Sequence, residues 1–149
     1  MKHLFLFSFL VFNLSIFNSA KAQDPVKWSA AYKSISASEG EIIITANIEK
    51  GWHTYSQRAT KDGPISTSFT FTPSKDYELE GKTWESEAHE EFVKAFGAKV
   101  YIYSDKAEFR QKIKVKKKGT SIPIKVEFMC CNDMMCLPPK TADLSVKAQ

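Results

Sequence analysis

The chain has 149 residues, with 21 Lys+Arg against 17 Asp+Glu and a formal net charge of +4. That is one domain's worth of sequence, and the charge is too balanced to point to nucleic acid as a partner. The first 22 residues are expected to be a secretory signal and not part of the fold. Lys2 and His3 open it, residues 4–17 are apolar except for Ser8, Asn13 and Ser15, and Ala20-Lys21-Ala22 offers a small-x-small cleavage site. Removing Lys2 and Lys21 with it leaves a mature net charge of about +2. The apolar run is too short for a comfortable membrane anchor, and no other stretch approaches the ~18 apolar residues a span needs. An exported, soluble mature chain starting at Gln23 is expected.

Beyond Gln23 the pattern is that of β-structure. Residues 41–50 (EIIITANIEK) are rich in β-branched side chains, and 66–72 (STSFTFT) alternate polar residues with Phe69 and Phe71. Residues 99–104 (KVYIYS) put Val100 and Ile102 on one face and Tyr101 and Tyr103 on the other. In 107–115 (AEFRQKIKV), Phe109, Gln111, Ile113 and Val115 alternate with Arg110, Lys112 and Lys114. Residues 121–129 (SIPIKVEFM) place Ile122, Ile124, Val126 and Phe128 inward. These period-2 patterns mark half-buried strands. Weaker strands are expected at 26–33, 52–56, 77–79 and 142–147. Residues 85–96 read as a helical turn or a long loop, acidic first and then carrying Phe92, Val93 and Phe96. The lysines of 112–118 read as a solvated strand face or as edge protection. Turns fall at Gly40, Gly51, Gly63-Pro64, Gly81, Gly119 and Pro138-Pro139. With short strands, frequent turns and no long crossover helix, one antiparallel β-sandwich is expected.

All three cysteines, Cys130, Cys131 and Cys136, lie within seven residues at the end of the strongest predicted strand. So short a loop gives the least chain-entropy stabilisation on crosslinking, which favours reactive thiols over staples. Both Cys131/Cys136 and Cys130/Cys136 suit a hairpin, whose facing Cβ atoms lie ~4.5–5.5 Å apart. Alternation carries Cys130 inward with Phe128 and Cys131 outward with Met129. The pair expected is therefore Cys131 with Cys136, leaving Cys130 as a small buried residue, with Cys130 the alternate first cysteine. Asn132 and Asp133 suit the loop, and Pro138-Pro139 stiffens its exit. A labile hairpin disulfide is the catalytic kind, while an inert structural bond is the plain alternative.

The segment Cys131-Asn-Asp-Met-Met-Cys-Leu-Pro-Pro139 resembles the active-site hairpin of the N-terminal periplasmic domain of thiol:disulfide interchange protein DsbD and of related disulfide bond corrector domains. Gly51-Trp-His-Thr-Tyr-Ser56 resembles the strand beside that family's redox pair. Lys82-Thr-Trp84, the acidic stretch after it and Phe96-Gly97 resemble its cap-loop region. The resemblance implies an immunoglobulin-like sandwich in the periplasm that passes electrons from a thioredoxin-like reductant to periplasmic disulfide oxidoreductases. It further implies that Cys136 forms the mixed disulfide and that Phe92 or Phe96 shields the pair. The membrane transporter and thioredoxin-like domain to which the DsbD domain is fused are absent here, so a separate reductant is expected. The doubled Cys130-Cys131 also departs from the family pattern.

The expected chemistry is attack of a thiolate on a partner disulfide. A carboxylate at Asp133 would raise a nearby thiol's pKa, and His53 or Tyr55 could supply a compensating hydrogen bond if their strand adjoins the hairpin. The main rival is soft-metal binding, with Met129, Met134, Met135 and the cysteines holding Cu(I). His53 and His89 are remote in sequence from that cluster. No phosphate loop, Ser-His-Asp arrangement or His-x-x-x-His pattern is present, and no cofactor is expected.

Overall fold

The computed structural model describes residues 23–94 and 96–149, so the expected signal peptide lies outside the described residues. Eleven strands make up the regular structure there: β1 (Val26–Ser34), β2 (Glu39–Ile48), β3 (His53–Tyr55), β4 (Ser68–Phe71), β5 (Tyr77–Glu85), β6 (His89–Val93), β7 (Ala98–Ser104), β8 (Lys106–Val115), β9 (Ser121–Phe128), β10 (Cys130–Cys131) and β11 (Lys140–Lys147). All pairings are antiparallel and form three sheets, ordered β1-β2-β8-β5, β10-β3-β7-β6 and β11-β9-β4. The architecture is the expected all-β, immunoglobulin-like sandwich. No helix among the described residues is long and apolar enough to cross a membrane.

The strand alternation accounts for the core. Ile42, Ile44, Ala46 and Ile48 of β2 point the same way as Ala107, Phe109, Ile113 and Val115 of β8. They meet Ile122, Ile124, Val126 and Phe128 of β9, as two inner faces of a sandwich must. Phe109 is fully buried and ties the three sheets together. Its ring lies 5.8 Å from Trp28 of β1, 4.8 Å from Phe69 of β4 and 5.6 Å from Tyr103 of β7.

Three expectations are corrected. The described residues of 85–96 are neither helical nor a long loop: they finish β5 and supply β6, with Val93 paired to Ala98 of β7. The strand expected at 77–79 runs on to Glu85, so Gly81 does not turn the chain. It sits in the strand at φ 68°, a left-handed conformation that glycine adopts freely, where the register with β8 slips between Glu80 and Trp84. The slip explains the polar Gln111 in the core. Its side-chain amide donates to the Glu80 carbonyl (3.1 Å) and the Lys112 carbonyl (2.9 Å), and its oxygen accepts from Thr83 Oγ1 (2.8 Å). Backbone left unpaired by the bulge is thus satisfied by a side chain. The lysines of β8 do not protect an edge, because β8 lies between β2 and β5; Lys112 and Lys114 are a solvated sheet face.

Truncating Phe109 would remove the one ring shared by all three sheets. Phe109→Ala is expected to cost about 3–5 kcal/mol, read as a lowered urea midpoint. A loss below about 1 kcal/mol would mean that the sheets do not depend on that ring.

Candidate redox site

The hairpin grows directly out of β9. After Phe128 the chain steps through Met129 into β10, where Cys130 pairs with Thr54 and Cys131 with His53. Asn132 closes the loop by an Asx turn, its side-chain oxygen accepting from the backbone N–H of Met134 (2.9 Å) and of Met135 (2.8 Å). The Asn132 N–H donates to the Met135 carbonyl and the Leu137 N–H to the Cys130 carbonyl, each at 2.9 Å. These bonds bring Cys136 opposite Cys131, with their Cα atoms 4.0 Å apart and their sulfurs joined as a disulfide. Cys130 is the free thiol.

The bonded pair is asymmetric. Cys136 is exposed, whereas Cys131 is 2 % exposed and packs with Tyr55, Val100 and Ile102. Here the outward position expected for Cys131 is corrected. It does lie on the opposite face from Cys130, but β3, β7 and β6 cover that face with a second small apolar cluster. Cys130 is buried as expected, in the main core, and burial raises its thiol pKa while Lys140 offsets part of the rise. A nucleophile arriving from solvent meets Cys136 first.

Strand β3 carries the polar groups to the buried sulfur. The Tyr55 hydroxyl donates to Cys131 Sγ at 3.0 Å, and His53 Nε2 lies 3.2 Å from the same hydroxyl. Burial holds the Tyr55 hydroxyl up at about 12, with charge on Cys130 and Glu91 adding to the effect, so near neutral pH it keeps its proton and acts as a donor. Burial also pushes His53 below the ordinary imidazole range, while Glu91 and Asp133 oppose the shift. Beside these groups opens a cavity of about 410 Å³ that reaches the Cys131–Cys136 bond.

Phe92 and Phe96 both line that cavity, from either end of the turn joining β6 and β7. Phe92 is 58 % exposed and Met134 is 88 % exposed, which leaves an apolar rim around the exposed sulfur. Strand β6 is held to β7 by backbone pairing and, on its outer side, by Glu90, which takes Lys99 Nζ at 2.7 Å and the Tyr101 hydroxyl at 3.0 Å. Pro138 is exposed beyond the hairpin and does not join the cavity wall. Nor does His89, or Met129, which packs under Cys131. No group of three or more His, Cys, Asp or Glu residues among the described ones is placed to hold a metal ion. The sequence reading missed Glu91, whose charge acts on His53 across their shared cavity because β6 is a strand of the same sheet; the acidic run itself gave no sign of that.

Once the disulfide is reduced, the three thiols should differ in reach. Brief alkylation of the folded protein, mapped by mass spectrometry, is expected to label Cys136 first, with Cys131 and Cys130 labelled only on unfolding. Equal labelling of Cys131 and Cys136 would contradict the buried position of Cys131.

Comparison with known proteins agrees with this fold. No curated protein sequence matches the chain. Among solved structures, the N-terminal domain of DsbD from Neisseria meningitidis, in its reduced form, aligns with a TM-score of 0.57 and 16% identity over 83% of this chain and 84% of that one. The N-terminal periplasmic domain of ScsB from Proteus mirabilis aligns with the same score and identity over 82% of this chain, which spans 45% of that one. A structure of the complex between the neisserial DsbD and PilB N-terminal domains aligns at 0.52, with 14% identity over 79% of this chain and 80% of that one. Identities this low speak for the fold alone. The family model for the N-terminal region of thiol:disulfide interchange protein DsbD matches residues 22–148, so the chain belongs to that family.

Proposed function

We propose that this protein is a thiol–disulfide exchange protein of the periplasm, relaying electrons from a thioredoxin-like reductant to periplasmic disulfide oxidoreductases through Cys131 and Cys136. The observation that carries this reading is the split character of the pair: one sulfur is exposed on a hairpin, and the other is buried beneath it with a hydrogen-bond donor. In an exchange step a partner thiolate attacks Cys136, the Cys131–Cys136 bond breaks, and Cys131 leaves as thiolate. A donor aimed at the leaving sulfur favours that step, because a leaving thiol of lower pKa departs faster. The apolar rim of Phe92 and Met134 offers a partner a surface to bury around the reacting sulfur.

Family membership supports the chemistry, and the neisserial DsbD domain, which shares this fold, forms a complex with the PilB N-terminal domain. Export follows from the signal read in residues 1–22, and the ScsB relative is a periplasmic domain. Cys130 has no part in the exchange on this reading, and Phe92 with Phe96 shields the bond between encounters.

The test is thiol mapping across a series of glutathione and dithiothreitol buffers. The Cys131–Cys136 bond is expected to titrate roughly between −120 and −270 mV, the range of known exchange proteins. Persistence below about −300 mV would make the bond structural and overturn the proposal. Mass analysis of the exported protein is expected to find Gln23 at its N-terminus, and an intact leader on the exported chain would refute cleavage after Ala22.

A further inference from the structure

Cys131 has little direct contact with bulk water, because the residue is 2 % exposed and lies beneath the hairpin, at the wall of the cavity. Yet any cycle of the disulfide makes and unmakes a thiol there. The hydroxyl of Tyr55 is the hydrogen-bond partner of its sulfur among the described residues, and Tyr55 is itself buried. Behind Tyr55 stands His53, half-buried and bordering the open cavity, with its Nε2 3.2 Å from the hydroxyl and its ring edge-on to the tyrosine at 5.4 Å. The three groups form one line from buried sulfur to solvent-facing imidazole.

We propose that His53 is the positioning and proton-exchanging residue for Cys131, acting through the Tyr55 hydroxyl. This rests on the exchange reading of the pair. When a partner thiolate bonds to Cys136, the electron pair of the broken S–S bond stays on Cys131 as thiolate. Imidazolium His53 then gives its Nε2 proton to the Tyr55 oxygen as Tyr55 gives its own proton to Cys131. The imidazole loses one proton, the tyrosine is unchanged and the thiol is formed. In the reverse direction, neutral His53 takes the Cys131 proton by the same route. The thiolate so made attacks Cys136 in the mixed disulfide and expels the partner's sulfur as thiolate.

The direction of each hydrogen bond follows from this. With Nε2 protonated, His53 donates to Tyr55, whose hydroxyl is then turned toward the sulfur. With Nε2 bare, the hydroxyl turns to His53 and its oxygen can accept from the Cys131 thiol. The groups facing His53 set its balance: Cys131 lies opposite it on β10 and Ser104 opposite it on β7, while Glu91 of β6, Lys94 of the following turn and Asp133 of the hairpin share its cavity. Burial favours the neutral imidazole that oxidation requires, and the two carboxylates keep the protonated form within reach.

The experiment is a pH titration of the reduced protein by NMR, with cysteines labelled at 13Cβ and Cys130 assigned by Cys130→Ala. The Cys131 signal is expected to show, besides its own titration, an inflection at the pH where His53 titrates. His53→Gln, which keeps the volume, should abolish that inflection. Tyr55→Phe should also abolish it although His53 still titrates, and should lower the thiolate fraction of Cys131 roughly tenfold at fixed pH, the weight of one hydrogen bond to a charged group. An inflection that survives Tyr55→Phe would mean a direct field effect, and none in the parent protein would mean no coupling; either overturns the relay. No partner takes part in the titration. A structural potential would therefore sink the exchange reading alone, and a lost inflection the relay alone.

Discussion

The pairing of the three-residue strand β3 with the two-residue strand β10 determines everything else at the site. Its register sets His53 against Cys131 and Thr54 against Cys130, and because side chains alternate, it puts Tyr55 on the same face as the disulfide. A slip of one residue would turn His53 and Tyr55 away from the sulfur and present Thr54 to it. So short a strand cannot hold its own register, and other bonds fix it. Thr54 Oγ1 donates to the Met129 carbonyl at 2.9 Å, and Thr67 Oγ1 donates to the Tyr55 carbonyl at 2.5 Å. At its end the Ser56 N–H donates to the Tyr101 carbonyl and the Ser56 carbonyl accepts from the Thr67 N–H. Gly51, at φ 83°, makes the turn that brings the strand in. Thr54, Ser56 and Thr67 are all buried, so these polar groups specify one alignment in a setting where an unmade bond would cost about 1–3 kcal/mol.

That alignment also separates stability from chemistry. The large core lies between the sheet of β2 and β8 and the sheet of β9, and Phe109 is its centre. The sheet holding the site contributes Tyr103 and Cys130 to that core on one face, and on its other face it has only the small cluster of Tyr55, Val100, Ile102 and Cys131. The disulfide therefore sits on the less deeply packed face of the sandwich, beside a cavity that Phe92 and Phe96 line.

How much of this could be read from the sequence depends on how each element is buried. Strands β8 and β9 each bury one face only, so Ile113/Val115 and Ile122/Ile124/Val126 alternate with mostly polar residues and announce themselves, while β2 is marked by its run of β-branched residues. Strand β6 is an edge strand with four of its five residues exposed. It has no buried face to impose a period, and His89-Glu90-Glu91 looked like a loop for that reason. The bulge in β5 hid the rest of that strand in the same way, since a register slip breaks the alternation. The cysteine pair was legible from spacing and alternation, but the burial of Cys131 was not: it packs with Tyr55 of β3 and Val100 and Ile102 of β7, neighbours that only the sheet order brings to it. Glu91 was lost because β6 could not be seen as a strand. The neighbourhood of His53 and Tyr55 was legible only through the family resemblance, because nothing in a run of six residues says which distant strand it will join.

The same alternation explains how a third thiol is tolerated beside a disulfide. Cys130 and Cys131 are chain neighbours, yet the pleat sends their sulfurs to opposite faces of the sheet, one into the main core and one toward the hairpin. To attack the Cys131–Cys136 bond, Cys130 would have to reach through the plane of β10, breaking its pairing with Thr54 and the bond from the Leu137 N–H to its own carbonyl. Burial raises its pKa as well, so little thiolate exists to make the attempt. Geometry and ionisation thus act together, and the scrambling that adjacent cysteines invite is opposed by the β10 pairing that also sets Tyr55 and His53 beside the Cys131 sulfur.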